Sequence, residues 1–155
     1  MIDSAPITLR VADPDDAAAI ACLDAYFALL AQTFPADFDR SLPLQDAADF
    51  RPPQGAFFVA EAGKHPLGCV SLRHRVPGLA EVKRLWVAPT ARGLGLARRL
   101  MAAVEDRARQ AGYGRLCLDT NAALTAAISF YQVQGWAPIP AYTGFPATHW
   151  FGKAL

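Results

Sequence analysis

Apolar residues change their period several times along the chain, and each change marks a new element. From Ile7 to Ala12 they alternate with polar ones, which predicts a first strand. Ile20, Leu23, Phe27 and Leu30 then recur at helical spacing, so this segment is expected to be a helix with that stripe on the core. Asp13 is the expected cap, with Pro14 at the first position and Asp15 and Asp16 in the positively polarised first turn. Residues 34–54 lose any period and contain Pro35, Pro43, Pro52 and Pro53, with one short helix expected around Asp46 to Phe50. A connecting loop and a flap over a substrate pocket both remain open for this stretch.

Ala56 to Ala62 and Leu67 to Val76 read as a hairpin turning at Gly63-Lys64-His65-Pro66. Pro77-Gly78 makes the next turn, and Glu81 to Val87 is a third strand. Leu94, Ala97, Met101, Val104, Ala108 and Ala111 repeat at spacings of three and four, which predicts a helix closed by Gly112. Arg115 to Asp119 is a short strand. A helix from Ala122 to Gln134 follows, capped by Thr120 or Asn121 and stopped by Gly135. Trp136 to Ile139 and Thr148 to Lys153 close the chain as strands. Three consecutive strands with hairpin-length connections exclude a purely parallel sheet. The expected class is α/β, a mixed, mainly antiparallel sheet with helices on both faces.

Composition narrows the function. The chain has 155 residues, which suits one domain over residues 1–155. A net charge of +1 and no polybasic run give no pull toward nucleic acid or a membrane surface. The most apolar stretch, Ala17 to Ala31, is too short for a span and carries Asp24. No cationic leader opens the sequence, and Cys22, Cys69 and Cys117 lie far apart in apolar surroundings, so buried thiols in a cytoplasmic protein are expected. His65, His74 and His149 are isolated, and no metal site is expected.

The chemistry concentrates in Val87-Ala88-Pro89-Thr90-Ala91-Arg92-Gly93-Leu94-Gly95-Leu96-Ala97, between the third hairpin strand and the clearest helix. A helix N-terminus offers amides without intrahelical partners and the positive end of the macrodipole. Gly93 and Gly95 remove side chains from that backbone, and Arg92 adds a cation, so the turn reads as a pyrophosphate cradle. One owner of such a cradle is a dinucleotide fold, with Asp119 as the ribose ligand. Against it, Arg98 stands where the third glycine should be, Asp119 comes late, and residues 88–92 separate the strand from the first glycine.

Arg92-Gly93-Leu94-Gly95-Leu96-Ala97 resembles the R/Q-x-x-G-x-G/A signature of the GNAT superfamily of N-acetyltransferases. Downstream, Ala127-Ile128-Ser129-Phe130-Tyr131-Gln132-Val133-Gln134-Gly135-Trp136 is similar to that family's A-I-x-L-Y-x-x-x-G-F motif. The element order matches the family fold over nearly the whole chain. The resemblance implies acetyl-CoA, or another acyl-CoA, as acyl donor, its pyrophosphate on the amides of Arg92, Gly93, Leu94, Gly95, Leu96 and Ala97. Its pantetheine arm would run along Leu85, Trp86 and Val87, where a bulge in the family splays the strand from its neighbour. Leu124 stands where the family often has an asparagine; Asn121, one turn earlier, either shares that cofactor role or caps the helix.

Acetyl transfer to a primary amine of a small, amino-acid-like molecule requires removing a proton from an ammonium of pKa ~10 and protonating a departing thiolate. Tyr131 matches the family's general acid, and Glu81 matches a glutamate that serves some members as base. The Val87 amide could polarise the thioester carbonyl. Tyr131 could instead be a core aromatic, and Glu81 an ion-pair partner. The acceptor pocket is expected from residues 31–55, from Arg73 to Leu79, and from Tyr142, Phe145, His149 and Trp150, which could equally form core and homodimer contacts. Arg73, Arg75, Lys83 and Arg84 suggest an anionic acceptor. The competing class is an acyl-CoA-binding module of this fold that senses rather than catalyses.

Overall fold

A computed structural model describes residues 5–34 and 47–155. Seven strands and three helices alternate as β1 (Ile7–Val11), α1 (Ala17–Thr33), β2 (Ala56–Ala62), β3 (His65–Val76), β4 (Leu79–Val87), α2 (Leu96–Gln110), β5 (Arg115–Thr120), α3 (Thr125–Val133), β6 (Ala137–Pro138) and β7 (His149–Ala154). The strands form one sheet in the order β1-β2-β3-β4-β5-β7-β6. Only β4 and β5 are parallel, because α2 carries the chain back across the sheet between them. The other neighbours are antiparallel. A doubly wound parallel sheet is thereby excluded, and the mixed α/β class stands.

The strands alternate for two cores. Along β2, Phe58 and Ala60 join the core under α2, while Phe57 and Val59 join the core under α1. Gly68 marks a close approach of β3 to β4 and α2: a Cβ there would lie 2.8 Å from the Trp86 carbonyl oxygen and 3.1 Å from Leu100. The β2–β3 turn is shorter than expected. His65 and Pro66 belong to β3, opposite Ala62 and Glu61, so Gly63 and Lys64 alone turn the chain, with Gly63 at φ 60°.

Both long helices begin later than the periodicity suggests. Asp13 does not cap α1; its carboxylate accepts from the Asp15 amide and closes a preceding turn, whereas Asp16 accepts from the Ala18 amide at 2.9 Å and is the cap. The buried face is Ala19, Cys22, Leu23, Phe27 and Leu30. Ile20 lies outside it at 45% exposure, because the small Ala19 and Cys22 let the helix settle on β3, where the Cys22 thiol reaches the Gly68 carbonyl. Leu94, expected in the stripe of α2, is exposed, and Leu96 and Leu100 fill the core instead. Gly95 at φ 74° is the residue before α2, and a left-handed residue cannot continue into it. At the other end Gly112 (φ 91°) closes a Schellman motif, Tyr113 N–H bonding to Ala108 O and Gly112 N–H to Arg109 O.

Of the region expected to be a loop or flap, residues 35–46 lie outside the described residues, and residues 47–50 form a single 3-10 turn. The three cysteines are buried free thiols. No described helix is long and apolar enough to cross a membrane.

Candidate active site

β4 and β5 pair only over Leu79–Arg115, Ala80–Leu116 and Glu81–Cys117. Beyond that rung β5 stays with β7, and residues 82–87 of β4 keep β3 alone. A bulge accompanies the split. Cys69 faces Trp86 and Ser71 faces Lys83, so β4 holds one extra residue at Arg84–Leu85, and Arg84 takes φ 61°. The Cys69 thiol bonds to the Arg84 carbonyl at 3.3 Å, and the Arg84 guanidinium lies 4.5 Å over the Phe50 ring. These contacts hold a non-glycine residue in a conformation it otherwise avoids.

The split opens a cavity of about 780 Å³, walled by Val82 to Val87, the end of β5, one face each of α1 and α3, and the 143–147 loop. Leu85, Trp86, Val87, Arg92, Ala97, Asn121 and Tyr131 all line it. Gly93, Leu94, Gly95 and Leu96 form the turn at its edge. Gly93 (φ 80°) and Gly95 (φ 74°) need the left-handed region, and a Cβ on either would meet no protein atom within 4 Å. Both therefore face open space. The first amide entering α2 to find a carbonyl is that of Arg99, bonded to Gly95 O at 3.1 Å. Among the described residues the amides of 93–98 have no acceptor, so a row of donors points outward at the positive end of α2.

Tyr131 lies on α3 with its ring packed against Phe130, Trp136 and Phe151, and is 7% exposed. Among the described residues its hydroxyl has no hydrogen-bond partner. Burial pushes its pKa above the ordinary tyrosine value, reinforced by Tyr26 and by the negative charge of Asp119, so the phenol keeps its proton. Tyr26, on α1 across the cavity, is likewise pushed up by burial.

Glu81 is not in the cavity lining. It is fully buried at the apex of the split, with Arg73 Nε donating to Oε1 at 2.8 Å and the Tyr142 hydroxyl donating to Oε2 at 2.8 Å. Arg75 approaches Oε1 at 3.8 Å and lies over the Tyr142 ring. Both carboxylate oxygens are engaged.

Asn121 is the first residue of a turn rather than the cap of α3. Its Oδ1 accepts from the Ala123 amide at 2.7 Å, its Nδ2 donates to the Pro146 carbonyl, and α3 starts only at Thr125. It thus ties the 143–147 loop to the cavity rim. Of the expected acceptor residues, Phe34, Phe145, Lys83 and Arg84 reach the cavity. Arg73, Arg75 and Tyr142 are spent on Glu81, and Trp150 donates to Thr143 from outside the lining. His149 stacks on Phe151, and His74, in the expected hairpin, bonds to Tyr113. Sequence reasoning missed Tyr26 and Thr143 as lining residues. The signal for Tyr26 was its place one residue from Phe27 on an amphipathic helix, which a core-centred reading absorbs.

The model of the Acetyltransferase (GNAT) family matches residues 23–136, spanning both walls of the split. The chain belongs to the GNAT family. It is 32% identical over 153 residues to an IAA acetyltransferase of Azospirillum brasilense, covering 96% of this chain and 98% of the relative. An acetyltransferase structure from Streptococcus agalactiae superposes with TM-score 0.80 at 20% identity, covering 96% of this chain and 98% of that one. The PaiA N-acetyltransferase of Thermoplasma acidophilum, solved with coenzyme A, gives TM-score 0.75 at 14% identity, over 97% and 99% of the two chains. This GNAT protein is an acyltransferase, and its split sheet and donor-lined turn suit an acyl-CoA.

Proposed function

We propose that this GNAT enzyme moves an acetyl group from acetyl-CoA directly to a primary amine of a small molecule. The observation that carries the reading is the Tyr131 hydroxyl, without a partner among the described residues and held protonated in the cavity that the free edge of β4 also lines. The pyrophosphate sits on the amides after Arg92, and the pantetheine arm extends β4 along Leu85, Trp86 and Val87. A backbone amide at Val87 polarises the thioester carbonyl. The neutral amine nitrogen attacks that carbon, the C–N bond forms as the C–S bond breaks, Tyr131 gives its proton to the leaving sulfur, and the proton released from the nitrogen passes to water, from which the phenol is restored. Direct transfer is favoured because no thiol, serine or imidazole lines the cavity among the described residues. Glu81 is assigned to bracing the apex of the split, since its oxygens are already bonded. Acetyl as the group moved accords with the name of the Azospirillum relative.

Thermal unfolding with acetyl-CoA and, separately, with NAD tests the donor. A ligand at a hundred times its Kd adds about 2.7 kcal/mol. In a domain of this size that raises Tm by roughly 5–10 °C. A shift with acetyl-CoA and none with NAD is expected. A shift with NAD alone overturns the reading.

A further inference from the structure

The wall that α1 and the 143–147 loop give to the cavity is apolar. Phe27, Leu30, Phe34 and Phe145 line it, and the last two rings meet edge to face with centroids 6.0 Å apart. Asp119 stands at the same cavity, at the end of β5, and is the one carboxylate among its described lining residues. Its Oδ2 accepts from the Thr143 hydroxyl at 2.6 Å, and Thr143 Oγ1 accepts from Trp150 Nε1 at 2.8 Å. An indole nitrogen can only donate, so the hydrogen of Thr143 is committed to Asp119. The relay fixes the carboxylate in one orientation and leaves Oδ1 without a partner among the described residues. No cation among the described residues forms an ion pair with it.

A half-buried carboxylate that forms no ion pair among the described residues, in a cleft narrowed by aromatic side chains, attracts a positive ligand more strongly than one at an open surface. Lys83 and Arg84 line the β4 wall with the opposite sign, so the two walls sort ligand charge. The proton affinity of Tyr131 is raised in part by Asp119, which places the carboxylate within the field of that hydroxyl.

We propose that Asp119 is the ammonium anchor of the acceptor subsite, set by Thr143 and Trp150, and that the acceptor is a primary amine on an apolar or aryl body. The proposal rests on the acetyltransferase reading of the cavity and names its acceptor class. Asp119 touches the substrate; Thr143 and Trp150 are positioning residues.

The test is calorimetric titration of 2-phenylethylamine and of its neutral isostere 2-phenylethanol into protein saturated with CoA, which permits no turnover. The native protein should prefer the amine by at least about tenfold, the coupling of a close charge pair. Asp119→Asn keeps the size and the bond from Thr143 but removes the charge, so it should abolish the preference and leave the alcohol's affinity unchanged. Thr143→Val should weaken amine binding several-fold with CoA affinity unmoved, and Thr143→Ser should restore it. No binding of the amine to the native protein, equal binding of amine and alcohol, or a preference that survives Asp119→Asn each overturns the proposal. CoA binding, titrated first in the same cell, reports on the transferase reading separately. An Asp119-dependent preference without CoA binding would leave the anchor standing and sink that reading.

Discussion

Glu81 and Cys117 are opposite each other on the last rung of the parallel ladder between β4 and β5. Beyond them the strands part, and the cavity occupies the gap. The same glutamate draws Arg73 and Arg75 of β3 and Tyr142 of the closing loop onto one buried carboxylate. The apex of the split is therefore an electrostatic clamp, and the cavity begins after it.

Removing the clamp should cost stability before chemistry. Glu81→Gln leaves the Arg73 and Arg75 guanidinium groups facing a neutral amide. Breaking a buried pair costs roughly 3–5 kcal/mol, and the low end applies because both arginines keep some access to water. A drop in Tm of roughly 6–12 °C is expected. If Glu81 also served as the general base, the variant would in addition lose the acidic limb of its kcat/KM profile.

Tyr131→Phe removes one hydroxyl and keeps the packing against Trp136 and Phe151. Turnover should fall by about one to two orders of magnitude with acetyl-CoA affinity nearly intact, the pattern of a group that acts in the transition state. Steady-state kinetics alongside a titration of acetyl-CoA check this; unchanged kcat removes Tyr131 from the chemistry.

Initial rates should intersect rather than run parallel when acetyl-CoA and amine are varied together. Direct transfer requires both substrates bound at once, whereas an acetyl-enzyme intermediate gives ping-pong lines and a burst of CoA. A burst in the absence of amine would refute direct transfer.

Gly93→Val and Gly95→Val force a branched side chain into the left-handed region at the turn before α2. The backbone penalty is roughly 1–2 kcal/mol each. Neither side chain would meet protein, so most of the fold should survive while acetyl-CoA binding weakens by tenfold or more, measured by titration. Wild-type affinity in both variants would place the pyrophosphate elsewhere.

Stability should decline at high pH. Burial raises the proton affinity of Tyr26, Tyr131 and Tyr142 in the folded chain. A group whose folded pKa lies above its unfolded value contributes fully below the unfolded value, near ~10 for tyrosine, and loses that contribution as pH rises toward the folded one. Tm measured from pH 8 to 11 should fall along the upper half of this range. Tyr131→Phe should flatten the fall.

Element order was legible in the sequence because apolar period, caps and glycines are local signals. Hairpin spacing forced a mixed sheet, the glycine turn lay between a strand and a helix, and Tyr131 stood inside its motif. Helix starts were less legible. Asp13, Asp15 and Asp16 are all competent caps, and only docking on β3 selected Asp16 and turned Ile20 to solvent. The surroundings of the two carboxylates were decided by tertiary structure alone. Glu81 and Asp119 are each acids on neighbouring strands, alike in sequence. Register placed Glu81 at the last closed rung, among arginines, and placed Asp119 past the split, beside Thr143 and an apolar wall. Where two strands cease to pair depends on a bulge held by contacts from distant segments, and no local pattern encodes that position.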